Sequence, residues 1–598
     1  MTDSLPVIQQ RLENLRQQMQ SRRIDAYLVT NADPHNSEYS ADHWLARKWL
    51  CGFTGSAGDL LVTKSGGGLW TDGRYFIQAI EQLEGTGIEL FRKRLPGTPT
   101  IPEHLAEQLT ANSRVGVDGR TINQTFFLEL KDAFAAKNIE FIITEDLVGN
   151  IWQQRPARPS KAVFLHDIQY AGKSCAQKLT DIRSLMLSDK VDQVLISATD
   201  DVMWLMNIRG QDNAFFPGSE AYALISQETA QLFIDSKKLP AVVCKTLLQQ
   251  GVSCWDYHEL ADTLALLATE LNFKYSPYTT NSLLVSRIRQ GVTCLQGNTY
   301  AQSGKIVKNA TESEQHQLAL KYDGTAIVQF MCWLEEHVHS GEVTELSAEQ
   351  QLRCYRKALP NYISDSFSTI AGYAEHGAIM HYSATRDSNK VIGTDNYFLL
   401  DSGGQYLGGT TDITRTFSFC ELSEQQKTDY TLVLKGVIRL SQAKFLKGTA
   451  GNNLDILARG ALWQQCVDYK CGTGHGVGIC LNVHEGPQNF SQSVKDTEPL
   501  VPGMTITVEP GVYREGEYGI RIENILQVVA VAENNFGTFY GFKTLTLAPI
   551  ATNQIISDLL SVEERLWLND YHLTVAEQLT PLLNPADQQW LAKATQPI

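Results

Sequence analysis

The fold of this chain can be inferred from one segment, Tyr397-Phe-Leu-Leu-Asp-Ser-Gly-Gly-Gln-Tyr-Leu-Gly-Gly-Thr-Thr-Asp-Ile-Thr-Arg-Thr-Phe417. It begins with an apolar run that ends in the carboxylate of Asp401. It ends in a stretch, 411–417, whose alternation is typical of a β-strand. Two strands joined by a glycine-rich turn form a hairpin. We therefore expect Asp401 and Asp412 to lie side by side on paired strands.

Two further candidate ligands follow along the chain. Gly472-Thr-Gly-His-Gly-Val-Gly478 places His475 in a loop of small residues, where a metal ion could approach closely. Met504-Thr-Ile-Thr-Val-Glu509 predicts a third strand that ends in a carboxylate. These two segments add one imidazole and one acid to the pair of aspartates.

The last candidate ligand is Glu523, in Gly519-Ile-Arg-Ile-Glu-Asn524. Strand alternation places Arg521 and Glu523 on one face and the two isoleucines on the other. We expect Arg521 to orient a metal-bound carboxylate without binding the metal itself.

Four buried carboxylates close to one another would raise each other's pKa and destabilise the fold. A pair of divalent ions removes that repulsion, and an oxygen-rich site with one nitrogen suits Mn²⁺, Co²⁺ or Zn²⁺. The alternative is that these are unrelated surface acids. All five candidates stand at a predicted strand end or beside glycine, which favours the metal site.

These residues resemble the metallopeptidase family with the pita-bread fold, family M24, which includes methionine aminopeptidase, prolidase and Xaa-Pro aminopeptidase. The resemblance rests on short motifs that occur in the family's order: Leu400-Asp-Ser-Gly403, Thr410-Thr-Asp-Ile-Thr-Arg415, Gly472–Gly478, Val483-His-Glu-Gly-Pro487, Val508-Glu-Pro-Gly511 and Gly519–Asn524. Metal-free relatives such as creatinase lack the ligands, whereas all five positions are filled here.

The resemblance implies a ligand set and a mechanism. Asp401 would hold one ion, Asp412 and Glu523 would bridge both, and His475 and Glu509 would complete the second. Two ions about 3.5–4 Å apart would lower the pKa of a shared water, so that hydroxide forms at neutral pH and attacks the peptide carbonyl. The ions would also stabilise the oxyanion that forms. Glu509 would carry the proton to the proline nitrogen, which must be protonated before it can leave.

The resemblance also assigns residues outside the metal set. His381 and His484 match the family's positions for substrate binding and stabilisation of the intermediate. Arg74, in Asp72-Gly-Arg-Tyr75, matches a residue that reaches substrate across a dimer contact, although a turn arginine paired with an acid is the alternative. Cys471 departs from the pattern, because relatives often carry histidine there. Its thiol could form a weak hydrogen bond or only line the pocket.

Length and composition set the broad class. The chain has 598 residues, too many for one hydrophobic core, and its net charge of −15 argues against a nucleic-acid partner. Eleven scattered cysteines predict reduced thiols rather than a disulfide framework. No early apolar run typical of a signal peptide occurs, and none is long enough to span a membrane. We therefore expect a cytoplasmic protein without a membrane partner.

The first half of the chain contains an internal repeat. Leu12, Leu15, Met19 and Ile24 have counterparts 167 positions later in Leu179, Ile182, Met186 and Val191. Each copy reads as a helix followed by an apolar strand, and chance similarity of two helix-strand units is the alternative. We predict two successive α/β domains joined near the proline-rich segment Arg155-Pro-Ala-Arg-Pro159.

A second boundary lies near residue 310. There Thr311-Glu-Ser-Glu314 has the spacing of a capping box and opens a long helix. The predicted domains are 1–155, 156–309, a catalytic domain at 310–545 and a C-terminal extension at 546–598 packed on it. This layout resembles the large three-domain cytosolic Xaa-Pro aminopeptidases. It implies an α/β (α+β) protein with two creatinase-N-like domains, a pita-bread catalytic domain and a homodimeric state.

The leading hypothesis is a manganese-dependent enzyme that removes an N-terminal residue when proline is second. The alternative enzyme is a prolidase, with the same metals but a preference for Xaa-Pro dipeptides. The two N-terminal domains favour the first, because prolidases of this type usually have one. A non-catalytic binding protein on the same fold is a third hypothesis, and the five intact ligands argue against it.

Overall fold

Residues 4–492 and 498–598 are described by the computed structural model. The chain divides into two units. The first comprises Met1–Leu165, Lys173–Asn213 and Gly218–Ser303, and the second comprises His166–Gly172, Ala214–Pro217 and Gly304–Ile598. Within the described ranges, no helix combines the length and the apolarity that crossing a lipid bilayer requires. The bounds of the four predicted domains stay a prediction.

The first unit begins with a six-stranded sheet. Its strands are β1 (Ala26–Val29), β2 (Asp59–Thr63), β3 (Gly67–Thr71), β4 (Glu89–Arg92), β5 (Arg114–Asp118) and β6 (Glu140–Thr144). The order across the sheet is β4-β3-β2-β1-β5-β6. Its helices are α1 (Leu5–Ser21), α2 (Ala46–Cys51), α3 (Phe76–Leu83), α4 (Ile101–Gln108) and α5 (Gln124–Ala135). Ile8, Leu12, Leu15 and Met19 of α1 are buried, as their helical spacing predicts.

A second six-stranded sheet follows. The strands of this stretch are β7 (Phe164–Leu165), β8 (Gln193–Ile196), β9 (Ile208–Arg209), β10 (Ala221–Ser226), β11 (Ala230–Ile234), β12 (Ser253–Trp255), β13 (Asn272–Tyr275) and β14 (Thr293–Gln296). Its helices are α6 (Ile168–Ala171), α7 (Cys175–Ser188), α8 (Thr199–Met206), α9 (Ala241–Gln249), α10 (Glu259–Ala265), α11 (Ser282–Arg287) and α12 (Tyr300–Ile306). The sheet order is β12-β11-β10-β8-β13-β14, and β7 pairs separately with β9.

The two large sheets have the same topology. The central strands β1 and β8 each pair in parallel with the strand on one side, β5 or β13, and antiparallel with the strand on the other, β2 or β10. The residues of β1 are separated from those of β8 by the 167-residue offset of the sequence repeat. This agreement supports the interpretation of the first half as a duplicated α/β unit.

The second unit contains the long helices and the strands that carry the candidate ligands. Its further helices are α13 (Ala310–His337), α14 (Glu345–Lys357), α15 (Glu424–Ser441), α16 (Asp455–Trp463), α17 (Val562–Leu579) and α18 (Pro585–Ala594). Its strands are β15 (Tyr362–Asp365), β16 (Ile370–Tyr373), β17 (Tyr397–Ser402), β18 (Gly404–Tyr406), β19 (Gly409–Thr410), β20 (Ile413–Ser418), β21 (Phe445–Leu446), β22 (Gly474–Gly476), β23 (Glu485–Phe490), β24 (Thr505–Val508), β25 (Gly511–Arg514), β26 (Tyr518–Arg521), β27 (Asn524–Asn534) and β28 (Gly537–Thr544).

These strands form four sheets, whose orders are β15-β18-β19, β16-β17-β20, β21-β28-β27-β24-β22-β23 and β25-β26. β17 and β20 are buried along their whole length, as expected for strands covered on both faces. Apolar residues of α15 and α17, such as Val433 and Val575, share one core with Ile506 of β24 and Ile520 of β26. The core thus fixes the strands that end at Glu509 and near Glu523.

Two local predictions were wrong. The long helix α13 is capped by Asn309, whose side chain and that of Glu312 form the capping box, rather than by Thr311. Asparagine caps a helix at least as well as threonine, and it lies two residues earlier. The glycine-rich turn after Asp401 is not a simple turn either, because it forms the hairpin β18–β19, which pairs with β15.

Candidate metal centre

The two aspartates of the opening segment lie at one end of the sheet β16-β17-β20. β17 pairs antiparallel with β20, and Asp401 lies opposite Thr414. Asp412 directly precedes β20. Both side chains are buried, with 10% and 6% of their surface exposed. The predicted pairing of the two strands is confirmed, although the connection between them is longer than a turn.

Asp412, His475 and Glu523 form the centre of the cluster. One candidate ligand atom from each lies within 4.8 Å of the others. Nε2 of His475 is 3.3 Å from Oδ2 of Asp412 and 3.5 Å from Oε1 of Glu509. Residues separated by more than 100 positions in the sequence are therefore brought together at one point.

The hydrogen bond of His475 fixes the tautomer of its ring. Nδ1 lies 2.9 Å from the carbonyl oxygen of Gly476. A carbonyl only accepts, so Nδ1 donates a proton to it and Nε2 of the neutral ring carries a lone pair. That lone pair lies beside the carboxylates of Asp412 and Glu509. Three electron-rich groups at this distance need a cation or a proton between them.

Glycines on both sides allow His475 to reach this position. A Cβ on Gly474 would lie 1.9 Å from the carbonyl oxygen of Thr507, and a Cβ on Gly476 would lie 2.1 Å from Nε2 of Gln488. The segment was predicted as a loop, but residues 474–476 form strand β22 between β23 and β24. The glycines are required because β22 packs closely against its neighbours.

Glu509 and Glu523 follow strand ends. Glu509 comes directly after β24, and its backbone N–H donates to the carbonyl of Thr473 at 2.7 Å. Glu523 stands between β26 and β27, and its Oε2 accepts from the hydroxyl of Thr414 at 2.9 Å. The predicted alternation of 519–523 separates a polar from an apolar side, but both sides are buried.

Arg521 connects the acids. Its Nη2 donates to Oδ2 of Asp401 at 2.6 Å, its Nε to the hydroxyl of Thr414 at 3.1 Å, and its Nη1 to the hydroxyl of Tyr513 at 2.6 Å. Because Thr414 in turn donates to Glu523, one guanidinium fixes two of the predicted ligands. These contacts support the orienting role that the sequence predicts for Arg521, and that role stays a prediction.

Burial and mutual repulsion disfavour the ionised acids. Burial raises the pKa of Asp401 to about 7, the charge of Arg521 opposes this increase, and the charges of Asp412 and Glu509 add to it. Burial also raises the pKa of Glu509, and it raises that of Glu523 well above its ordinary value. Burial opposes a charged His475, but hydrogen bonding to Asp412 and the charge of Glu509 raise its pKa to about 9.

This donor set fits divalent cations. Oδ1 of Asp401 is buried and has no hydrogen-bond partner among the described residues. The cluster supplies carboxylate oxygens and one imidazole nitrogen, the donors preferred by Mn²⁺, Co²⁺ and Zn²⁺. Four acids are matched by one arginine, so cations would offset the excess negative charge that burial makes unfavourable.

The predicted histidines lie near this cluster. The ring of His484 is 4.2 Å from that of His475, centroid to centroid, in an edge-on arrangement. His381 is half-buried and follows Met380, whose carbonyl accepts from Nη2 of Arg521 at 3.5 Å. Both positions are consistent with substrate contact, and their roles stay predictions.

Cys471 and Arg74 have different surroundings. Cys471 is half-buried against the core of the second unit, and its carbonyl accepts from Arg459 at 2.6 Å. Arg74 belongs to the first unit, where its Nε and Nη2 each donate to the carboxylate of Asp72 at 2.8 Å. This ion pair is the alternative that the sequence left open, and a substrate contact of Arg74 stays a prediction.

Three supporting residues were missed by the sequence analysis. Thr414 links Arg521 to Glu523, and strand alternation in 411–417 could have indicated it, because it shares a face with Asp412. Tyr513 contacts Arg521, and no local pattern marks it. Arg459 donates to Asp455 and to the carbonyls of 469 and 471, which fixes the chain before His475.

Comparison with known proteins identifies the family. Residues 314–530 match metallopeptidase family M24, and residues 538–598 match the C-terminal region of that family. Residues 11–151 and 154–312 each match the creatinase/prolidase N-terminal domain. These matches confirm the predicted fold class, in which two creatinase-type domains precede the catalytic domain.

The similarity to known relatives extends over nearly the whole chain. Aminopeptidase P2 of Arabidopsis thaliana is 38% identical over 96% of this chain and 86% of its own length. A probable Xaa-Pro aminopeptidase P of Ajellomyces capsulatus is 37% identical over 98% of this chain and 99% of its own.

Among solved structures, the X-prolyl aminopeptidase of Caenorhabditis elegans, a cytosolic enzyme with a dinuclear active site, matches with a TM-score of 0.95. It is 33% identical, over 99% of this chain and 100% of its own. The conclusion rests on two full-length relatives above 30% identity, on the family match over the ligand-bearing strands and on the shared fold. The chain belongs to metallopeptidase family M24.

Proposed function

We propose that this chain is an Xaa-Pro aminopeptidase, which hydrolyses the bond between an N-terminal residue and a following proline. The observation that carries the proposal is its full-length likeness to proteins named for that activity. The cluster of four acids and one histidine supplies the donors that a dinuclear hydrolase requires. The preferred substrates are peptides of three or more residues with proline second.

Five residues would hold the metal pair. These residues are Asp401, Asp412, His475, Glu509 and Glu523. When bound, two divalent cations would activate a shared water and polarise the scissile carbonyl. The carboxylate-rich set with one imidazole favours Mn²⁺, with Co²⁺ and Zn²⁺ as alternatives.

Glu509 is positioned to move the proton. Its carboxylate is only partly exposed, and burial raises its pKa above the ordinary value of a glutamate. The ring nitrogen of the proline is a tertiary amide nitrogen, which leaves only after it is protonated. Glu509 would take a proton from the attacking water and pass it to that nitrogen. Its N–H bond to Thr473 fixes the backbone during the transfer.

Two histidines would hold the substrate. The ring of His484 adjoins that of His475, and the backbone beside His381 is bound to Arg521. Imidazole N–H groups so placed can donate to the oxygen of the scissile carbonyl, where negative charge develops. Arg521 holds Asp401 and, through Thr414, Glu523 in place during the reaction. Cys471 has no proposed step in the reaction.

The proposal includes a setting for the enzyme. A cytoplasmic location is supported by the C. elegans neighbour, which is a cytosolic enzyme. A homodimer in which Arg74 reaches the substrate of the partner subunit follows only from the family resemblance. The acidic balance of the chain disfavours a nucleic-acid partner.

A prolidase is the alternative. It would use the same ligands and the same proton transfer, but it would prefer dipeptides. The duplicated first unit and the full-length likeness to aminopeptidases count against it. The non-catalytic hypothesis would leave the five clustered donors without a role.

Hydrolysis by metal-stripped protein, with and without added Mn²⁺, tests the proposal. The substrates are an Xaa-Pro-Xaa tripeptide, the matching Xaa-Pro dipeptide and a tripeptide with alanine in place of proline. We expect Mn²⁺-dependent release of the first residue from the proline tripeptide alone. Preference for the dipeptide would make the protein a prolidase. No turnover of any peptide by metal-loaded protein would contradict the proposal.

A further inference from the structure

Glu345, the first residue of α14, is completely buried outside the metal centre. Its carboxylate accepts four hydrogen bonds, all from the segment 373–390. Oε1 accepts from the backbone N–H of Tyr373 and from Nδ1 of His376, both at 2.8 Å. Oε2 accepts from the hydroxyl of Tyr382 and from the backbone N–H of Lys390, both at 3.0 Å. One carboxylate therefore binds both ends and the middle of this segment.

The segment 373–390 has little regular structure of its own. After a single 3₁₀ turn, Ala374–Ala378, no helix or strand follows until β17 begins at Tyr397. Such a segment depends on side-chain contacts for its conformation. The start of α14 also holds its far end, because the N–H of Glu345 donates to the carbonyl of Lys390 at 2.9 Å.

The other side of the segment lies against the metal centre. The backbone of Gly377 packs on Gly519 of β26 so closely that a Cβ on Gly519 would lie 1.7 Å from the carbonyl oxygen of Gly377. Three residues later, Met380 accepts a hydrogen bond from Arg521, which also binds Asp401. His381 lies between this contact and Tyr382, which Glu345 holds. The two neighbours of His381 in the sequence, Met380 and Tyr382, are therefore each held by a hydrogen bond.

Charge favours this anchor over a neutral one. The carboxylate stands in the first turn of α14, where the helix dipole stabilises negative charge. Both oxygens act only as acceptors, and hydrogen bonds to a charged acceptor are stronger than those to a neutral one. Glutamine has nearly the same shape, but its amide nitrogen would face two donors, either Tyr373 and His376 or Tyr382 and Lys390.

We propose that Glu345 is a positioning residue that fixes the segment 373–390, and with it His381, against the metal centre. The proposal rests on the proposed function, because it assigns His381 to substrate. Glu345 does not touch substrate. It determines whether His381 meets the peptide in a productive geometry, and a misplacement of about 1 Å can cost about 100-fold in rate.

The test uses Glu345→Gln, with Glu349→Gln as the matched control. Glu349 is one turn further along α14 and pairs with Arg353 instead of the segment. In the Mn²⁺-loaded enzyme, Glu345→Gln should lower kcat/KM for the proline tripeptide about 10–100-fold without loss of bound metal. Glu349→Gln should stay within about twofold of the wild type. Tyr382→Phe removes one of the four bonds and should cause a smaller loss in the same direction.

A double-mutant cycle separates positioning from general stability. On a His381→Ala background, Glu345→Gln should cost less than about twofold, because the residue it positions is gone. Multiplicative losses would overturn the proposal, as would wild-type kcat/KM in Glu345→Gln. A His381→Ala enzyme with full activity would also overturn it.

Amide hydrogen exchange tests the inference without any turnover. In metal-free protein, Glu345→Gln should speed exchange in 376–390 more than tenfold and leave the α14 amides unchanged. Unaltered exchange in that segment would overturn the proposal even if the enzyme is active. If the wild type cleaves none of the peptides, the proposed function fails, and the exchange result still decides whether Glu345 holds the segment.

Discussion

The last two residues of β17 contact two different buried clusters of charge. Ser402 accepts a hydrogen bond from Arg356, whose guanidinium binds both carboxylate oxygens of Asp323, at 2.8 and 3.2 Å. The hydroxyl of Tyr406 also donates to Asp323. Asp401, one position earlier, belongs to a cluster in which four acids share one arginine and one histidine.

The difference lies in the balance of charge. The Asp323–Arg356 cluster is neutral and its carboxylate is well supplied with donors, so it needs nothing from outside the chain. The metal-centre cluster has an excess of acid and raised pKa values, and among the described residues Oδ1 of Asp401 has no hydrogen-bond partner. Buried charge that balances itself needs no ligand, whereas an excess of buried acid favours the binding of a cation.

The largest expected effect comes from removing Asp412, an acid at the centre of the cluster. Asp412→Asn should lose the metal and reduce kcat by about 10³-fold or more, since several kcal/mol of transition-state stabilisation depend on the ions. Asp570→Asn, on the exposed surface of α17, is the control and should match the wild type. Metal content and initial rates measure the effect. Full activity in a metal-free Asp412→Asn protein would contradict the account.

Breaking the balanced cluster should affect stability instead. Arg356→Met leaves Asp323 buried and uncompensated, which costs about 3–5 kcal/mol of unfolding free energy. Arg353→Met, three residues earlier and half-exposed, should cost about 1 kcal/mol or less. Chemical denaturation gives both values. Metal affinity should be unchanged in the Arg356→Met protein that remains folded. A selective loss of metal would contradict the independence of the two clusters.

A buried neutral histidine, His316, should make the stability of the second unit depend on pH. His316 of α13 binds the carbonyl of Thr410 at 2.8 Å, and burial lowers its pKa from 6.5 to about 4. Between pH 6.5 and about 4, His316 is therefore protonated in the unfolded chain but neutral in the folded chain. Stability should be complete above pH 6.5 and fall by about 3 kcal/mol as the pH drops to 4. His316→Gln should flatten that slope in denaturation measured against pH, and an equally steep slope would contradict the assignment.

Loosening the orientation of the acids should have a smaller effect. Arg521→Lys keeps the charge but cannot reach Asp401, Thr414 and Tyr513 together. We expect a loss of metal affinity of about 10–100-fold, measured by calorimetric titration. Arg514→Lys, whose partner is Asp429, serves as the control. An unchanged affinity in Arg521→Lys would show that the acids orient themselves.

The smallest effect is expected from Thr414→Val. It removes the hydroxyl that accepts from Arg521 and donates to Glu523, and should weaken metal binding about tenfold. Thr431→Val, which removes a buried hydroxyl of α15 that binds Lys427 and Ile556, should lower stability without changing metal affinity. Equal metal affinity in both variants would exclude a role for Thr414 at the centre.

The sequence was sufficient to name the residues of the acidic cluster, whose metal binding stays a prediction, but not those of its charge-balanced neighbour. Carboxylates at strand ends and a histidine between glycines are local patterns, so Asp401, Asp412, His475, Glu509 and Glu523 could be named in advance. Asp323 and Arg356 lie on two different helices, and nothing local pairs them. The role of Glu345 was missed for the same reason. Its four donors lie in the segment 373–390, which begins at the end of β16, after the whole of α14.

Local errors in the fold have a similar cause. Asn309 and Thr311 are both acceptable helix caps, and only the packed structure selects the first. The turn after Asp401 became a hairpin because β15 supplies a partner strand that the segment alone does not reveal. Short-range pattern predicts the elements, and long-range contacts decide their ends.

The metal content of the purified wild-type chain tests the central claim most directly. The protein is stripped with a chelator, dialysed against Mn²⁺ and measured by inductively coupled plasma mass spectrometry. The excess of buried acid predicts two ions bound per chain, together with a higher melting temperature than that of the stripped protein. Retention of no Mn²⁺, Co²⁺ or Zn²⁺, with an unchanged melting temperature, would contradict the account.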